Sequence, residues 1–304
     1  MTIPILSQQA GRQADAQPNG PADDSSADAP VAASRGGRSR RRHPWDLYLA
    51  IVVVALAVLW AVVPSIFAPG DPLTGTPADK LLPPSAAHWF GTDTLGRDLF
   101  GRVVHGAVHS LSGALIAVTV GLALGTLLGA IAGALGGVVD DILMRVVDVL
   151  LAIPGLLLSL SVIILLGFGT VNAAIAVGLG SVAAFARLMR AEVARVRRTE
   201  FVEAAYGSGA TFVAVLWRHV LPNSLTPIVA LAALQFGTAI LAISTLGFLG
   251  YGAPPPTPEW GLLIAEGRNY VGTAWWLTAL PGLVVVVVVL SANRISHRIG
   301  KEAR

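Results

Sequence analysis

His105 and His109 stand four apart in "HGAVH", a spacing that on a helix lets two imidazoles share a metal ion. No carboxylate or third ligand accompanies them. Histidine at a membrane boundary ordinarily places its polar tip in the interface, so no metal is expected there. The sequence has no G-x-x-x-x-G-K-[ST] loop, and its only lysines, Lys80 and Lys301, follow no glycine loop, which excludes ATP binding through a P-loop. H-E-x-x-H is absent, and Gly207-Ser208-Gly209 fails the G-x-S-x-G pattern. Without cysteine there is neither a thiolate nucleophile nor a thiolate metal site. Catalysis by this chain, and a cofactor of its own, are therefore not expected.

The stretch "EFVEAAYGSGATFVAVLWRHVLPN", residues 200–223, offers a different kind of chemistry. "EFVEAAYGSG" reads as a short helix stopped by glycine, which accepts the left-handed backbone of a helix end. "ATFVAVLWRHVLP" resumes the helix, with Phe212, Val213, Leu216 and Trp217 at three- and four-residue spacing, and Pro222 is expected to end it. The preceding "RLMRAEVARVRRTEF" carries five arginines and is expected to run helically along the membrane surface. A helical elbow with an apolar stripe outside the lipid needs a cover. Either its own bundle or a docked partner supplies one.

The elements around this elbow are apolar. Of 304 residues 54% are hydrophobic and 13% charged, about half the charged share of a soluble domain. About 20 apolar residues cross the hydrocarbon slab as a helix. Spans are expected near 47–67, 111–135, 143–168, 171–190, 225–249 and 273–292, giving an all-α polytopic membrane protein with six transmembrane helices. On this assignment seventeen of the 21 basic residues fall on the side of the two termini, and four (Lys80, Arg97, Arg102, Arg268) on the other. Lys and Arg excess marks the cytoplasmic face, so both termini and the elbow are expected there.

The organisation expected is a disordered basic cytoplasmic tail at 1–43, a first transmembrane helix at 44–67 and an extracytoplasmic loop at 68–110. A five-helix core follows at 111–292, holding the cytoplasmic loop 191–223, with a short cytoplasmic tail at 293–304. The tail's "SRGGRSRRRH" reads as a topology flank rather than a nucleic-acid site, and no cleavable signal peptide is expected.

Span two contains Gly121, Gly125, Gly129, Gly133 and Gly137 in four-residue spacing, a seam for close helix packing. In span three Arg145 and Asp148 stand three apart and can pair, and Pro154 is expected to kink the helix. Ionisable groups within spans are scarce, which argues against a self-powered, ion-coupled carrier. Gln235, Ser244 and Thr245 are the polar side chains assigned to a translocation path.

Glu203-Ala204-Ala205, three residues, Gly209 and then Leu221-Pro222 resemble the EAA loop of ABC-importer permeases. "HWFGTDTLGRDLFGRVVHGA", residues 88–107, resembles the segment before span two in the C-type permease of dipeptide and oligopeptide importers, with Gly91, Thr92, Asp93, Gly96, Arg97 and Asp98 as its signature. "PPPTPEWGLLIAEGR", residues 254–268, is similar to that branch's outer loop before the last span. Nickel-importer permeases share these signatures. His219 stands where the general consensus has an aliphatic residue, but "RHVLPN" is ordinary for the peptide-importer branch it resembles. Two departures stand out: Ile243 stands where many relatives carry glutamate, and the ending "NRISHRIGKEAR" keeps Asn293 without the usual acidic-basic close. The resemblance implies a type I importer permease bundle that takes peptide (or nickel) across the cell membrane. It implies a heterodimer with a second permease, an extracytoplasmic substrate-binding protein, and two cytoplasmic ATPase subunits that hold the ATP and Mg. It makes Glu203, Ala204, Ala205, Gly207, Gly209, Leu221 and Pro222 the ATPase dock.

Overall fold

The computed structural model describes residues 45–302 and is helical almost throughout. The tail expected at 1–43 lies outside the described residues. Among the described residues there is no strand, only an isolated bridge between Thr92 and Asp98. Five helices are each long and apolar enough to cross a membrane, and a bent helix pair makes a sixth if it counts as one span.

Helix α1 (Trp45–Val62) is a run of Ala, Leu and Val that buries only Ala50 and Ala57. It stops before Pro64, because a residue preceding proline is driven out of the helical region. The short α2 (Pro64–Phe67) leads into an irregular segment that ends at Asp98. Helix α3 (Leu99–Leu135) starts twelve residues before the expected span. Asp98 caps it by accepting from the Gly101 N–H at 2.6 Å, and Leu99, Val103, Val104 and Ala107 bury one face, so residues 99–110 are helix rather than loop. At 37 residues α3 is about 55 Å long and overshoots the hydrocarbon slab.

Four of the five periodic glycines place α3 against α6 (Thr170–Val196). A methyl at Gly125 would stand 2.5 Å from Val182 O and from Phe185 Cβ. One at Gly133 would stand 2.8 Å from Arg190 O. Gly121 abuts Ser181, and Gly129 abuts Ala186 O. Gly178 answers from α6, where a methyl would stand 2.7 Å from Ala117 O. Gly137 leaves the series. With Gly136 it takes positive φ (+67° and +55°), and the pair turns the chain into α4 (Gly137–Ala152).

The expected kinked span at 143–168 is two helices, α4 and α5 (Gly155–Leu166), lying at 96° to each other. Ile153 is extended ahead of Pro154, and the missing proline N–H ends the hydrogen-bond ladder there. Arg145 does not pair with Asp148. Arg187 of α6 donates to Asp148 at 2.7 Å, Arg190 pairs with Asp140, and Arg145 is exposed. Helix α6 continues past the expected end at 190 to Val196 and carries its arginines in line with the span.

Two short helices, α7 (Glu200–Gly207) and α8 (Phe212–Val215), form the elbow. Pro222 does not stop the second of them. A π-turn at Leu216–Val220 leads straight into α9 (Leu221–Phe248), with the Leu221 N–H donating to Leu216 O. The wider turn and a place in the first turn of α9 accommodate a residue without a donor. After α9 come α10 (Trp260–Gly267) and α11 (Trp276–Glu302), which runs through the expected break at 292. Helices α3, α6 and α9 meet at the centre, with α11 against α9 and α1 against α11. Arg294 on α11 lies 3.3 Å from Asp46, so the start of α1 and the last turns of α11 sit side by side.

The seam generates a prediction. Gly125→Leu and Gly129→Leu should each cost about 1–3 kcal/mol through overpacking and lower the thermal midpoint of the purified protein. Gly282→Leu, where no atom lies within 4 Å of the added carbon, should leave it unchanged. Equal midpoints for all three would place the α3 glycines away from any helix contact.

Candidate functional site

The elbow is held from below and open above. Val202, Val215 and Val220 are fully or almost fully buried and root α7, α8 and the π-turn in the bundle. Arg197 Nη1 donates to Gly133 O at 2.9 Å, and its guanidinium lies 5.9 Å from the Phe212 ring centroid, which pins the elbow to the end of α3. Glu200 and Glu203 sit in the first turn of α7, where carboxylates favour the helix dipole. Between α7 and α8, Gly209 has φ +85°, a conformation that L side chains rarely adopt. Glu203, Ala204, Gly207, Gly209 and Pro222 are exposed, with Ala205 and Leu221 half-buried.

The expected stripe is redrawn. Leu216 packs on the core, and Phe212, Val213 and Trp217 remain exposed, joined by Phe201 and Tyr206 from α7. Trp217 keeps 69% of its surface and Val213 61%, an unusual outlay of large apolar side chains at the foot of a bundle. Phe201 and Tyr206 escaped the sequence pattern because only the tertiary fold of the elbow sets α7 beside α8.

At the opposite end of the bundle, the six signature residues form one joint. Asp93 accepts from Arg97 Nε at 2.6 Å and Arg102 Nη1 at 3.0 Å. Arg102, wholly buried, also donates to Glu266 at 2.5 Å and to Pro256 O at 3.3 Å. Glu266 lies 3.6 Å from Arg97, so two carboxylates and two guanidiniums alternate across α3, α10 and the loop before α3. Such a group stands only as a whole, since removing one partner leaves an uncompensated buried charge. Thr92 accepts from the Leu82 N–H at 2.8 Å and donates to Asp79 O, and its carbonyl accepts from the Trp276 indole at 3.3 Å. Asp98 adds a hydrogen-bond contact with His88 Nδ1 at 3.0 Å to its capping bond, while Gly91 and Gly96 take positive φ. Arg102 and Glu266 are partners that sequence reasoning missed, because 164 residues separate them.

Glu259 is a second buried carboxylate at this end. It accepts from the Gly261 and Leu262 N–H groups at 2.9 Å each and from Ser110 Oγ at 3.2 Å, capping α10 against α3. Burial pushes its carboxyl above the usual range, and these three donors pull it partly back. His105 Nδ1 stands 2.9 Å from Gly101 O, and among the described residues no three metal-ligating side chains gather.

Gln235, Ser244 and Thr245 do not converge. Nine residues at 3.6 per turn put Ser244 about 180° around α9 from Gln235, and Thr245 follows on a third face. Ser244 is buried against Gly261 of α10, and Thr245 is exposed with its hydroxyl donating to Leu241 O at 2.8 Å. Gln235 alone of the three lines a cavity of about 230 Å³ between α3, α5, α6 and α9, in the company of Ser159, Ser181 and Thr238.

Residues 125–304 match the family model described as "Binding-protein-dependent transport system inner membrane component". The chain is 37% identical over 247 residues to the dipeptide transport system permease protein DppC of Alkalihalophilus pseudofirmus, covering 81% of each chain. It is 40% identical to the probable D,D-dipeptide transport system permease protein DdpC of Escherichia coli K12, over 80% of this chain and 81% of that one. To the glutathione transport system permease protein GsiD of Shigella flexneri it is 42% identical over 84% of both. Its fold is also that of a chain in inward-facing structures of the MetNI methionine ABC transporter, with a TM-score of 0.56 at 18% identity, covering 68% of this chain and 98% of that one. With a matched family model over more than half its length and these relatives over four fifths, the chain belongs to the family of inner membrane components of binding-protein-dependent transport systems.

Proposed function

We propose that this chain is the membrane-spanning permease subunit of an ATP-driven importer of dipeptides or oligopeptides. The observation that carries the reading is the elbow, rooted by Val202, Val215 and Val220 yet exposing Phe201, Val213 and Trp217. A self-contained carrier has no use for such a face, whereas a cytoplasmic ATPase supplies its cover. Peptide is preferred to nickel because the relatives above carry dipeptide or glutathione transport in their names.

In this reading the chain pairs with a second permease, receives substrate from an extracytoplasmic binding protein, and rests on two ATPase subunits that hold ATP and Mg. The basic residues at the elbow end orient that end, with both termini, toward the cytoplasm. Closure of the ATPase pair displaces the elbow. Because α8, the π-turn and α9 are continuous, the displacement reaches Gln235 on a stiff rod rather than through a slack loop. The ionic joint at the other end holds the outer loops as one lid-like unit against α3.

Two experiments test this. Glu203→Arg sets a positive charge where the dock favours a negative one, and like-charge juxtaposition costs several kcal/mol. Gly209→Val forces a β-branched residue to φ +85°, costing about 1–3 kcal/mol. Reconstituted complexes of either variant should bind loaded binding protein and yet lose uptake and the substrate-stimulated part of ATP hydrolysis. Full stimulation in both would leave the elbow as packing alone. For orientation, the cysteine-free chain allows single cysteines. One at Ser85 should react with a membrane-impermeant thiol reagent in intact cells and one at Ser208 should not, and the reverse labelling would invert the account.

A further inference from the structure

Helix α5 begins at the exposed rim of a cavity in the bundle. Its first turn, Gly155 and Leu156, lines the same cavity as Gly180 and Ser181, which lie ten to eleven residues into α6. The first backbone bond of α5 is Leu158 N–H to Pro154 O at 3.0 Å, and no side chain caps the helix. The N–H groups of Gly155, Leu156 and Leu157 therefore find no acceptor among the described residues. Within a bilayer such donors are tolerated where they line a cavity.

Two side chains aim further donors into that space. Ser159 is 4% exposed, lines the cavity, and its hydroxyl has no hydrogen-bond partner among the described residues. Gln235 Oε1 accepts from Thr238 at 3.2 Å, which leaves its amide NH2 as a donor with no protein partner. Ser181, by contrast, spends its proton on Gly178 O at 2.8 Å. No acidic or basic side chain lines the cavity.

From this convergence we infer that the cavity is a carboxylate subsite on the translocation path, taking the C-terminal carboxylate of a peptide. The inference rests on the peptide reading above. The α5 N-terminus, with its partial positive charge and free N–H groups, faces the anion, and Ser159 and Gln235 each donate one hydrogen bond. The absence of a guanidinium is part of the function. A path must bind well enough to admit its cargo and weakly enough to release it, and an arginine clamp at this depth would hold the carboxylate in place. Gln235 rides on the helix that the elbow drives, so motion of α9 against α5 opens and closes the subsite.

The test uses the complete reconstituted complex with its binding protein. Uptake of a mixture of di- and tripeptides with uncharged side chains is compared with uptake of the same peptides as C-terminal amides, at saturating concentration, by mass spectrometry. The wild-type complex should carry acids in preference to amides, and Ser159→Ala and Gln235→Leu should each shrink that acid-to-amide ratio about tenfold, the weight of one hydrogen bond to a charged group. Gly180→Leu, whose added carbon meets nothing within 4 Å, should fill the cavity, assemble normally and lose uptake of both. A wild-type ratio in both polar variants, or wild-type uptake by Gly180→Leu, would overturn the subsite and leave the peptide reading standing. A wild-type complex that carries neither acids nor amides would overturn both.

Discussion

In lipid, apolar side chains gain nothing by leaving their solvent for one another, so two helices stay together only where their backbones approach closely. The contact between α3 and α6 is of that kind. Gly121, Gly125, Gly129 and Gly133 remove side chains from one rail, Gly178 removes one from the other, and carbonyl oxygens of each helix lie against the bare backbone of its neighbour. Helices α9 and α5 and the elbow are placed by this pair. Helix α9 packs on both members, α5 leans on α6, and the elbow is tied to the end of α3 by Arg197.

Because α3 outruns the bilayer, it links the two polar ends of the molecule. Its first turns carry Arg102 into the ionic joint and Ser110 to Glu259, while its last turn offers Gly133 O to Arg197. The loops at one end and the elbow at the other are thus fastened to the same helix. Helix α9 runs on from the elbow through a π-turn, and the α4–α5 pair is broken at Ile153–Pro154.

The sequence made the spans and the elbow visible because both depend on local pattern: long apolar runs, glycine at every fourth position, and Gly207 and Gly209 between two short helices. It did not reveal the start of α3, because Asp98 reads as loop until its carboxylate is seen accepting from Gly101. It set Asp148 beside Arg145 because i,i+3 spacing permits a pair, but Arg187 from another helix takes the contact. The translocation residues were chosen for polarity alone, and polarity carries no direction. Helical phase sends Ser244 under α10 and leaves Gln235 in the cavity, where Ser159, hidden in the apolar run "GLLLSLSVIILL", joins it. Arg102 and Glu266 meet only through the fold.

The central claim is that the exposed face of the elbow is an ATPase dock. A photo-crosslinking amino acid at Val213 or Trp217, incorporated singly and activated in membranes that hold the whole complex, tests it directly. The account predicts a covalent adduct to a subunit whose mass-spectrometric sequence contains a G-x-x-x-x-G-K-[ST] loop. Adducts confined to lipid or to this chain itself, from a complex that still transports, would contradict it.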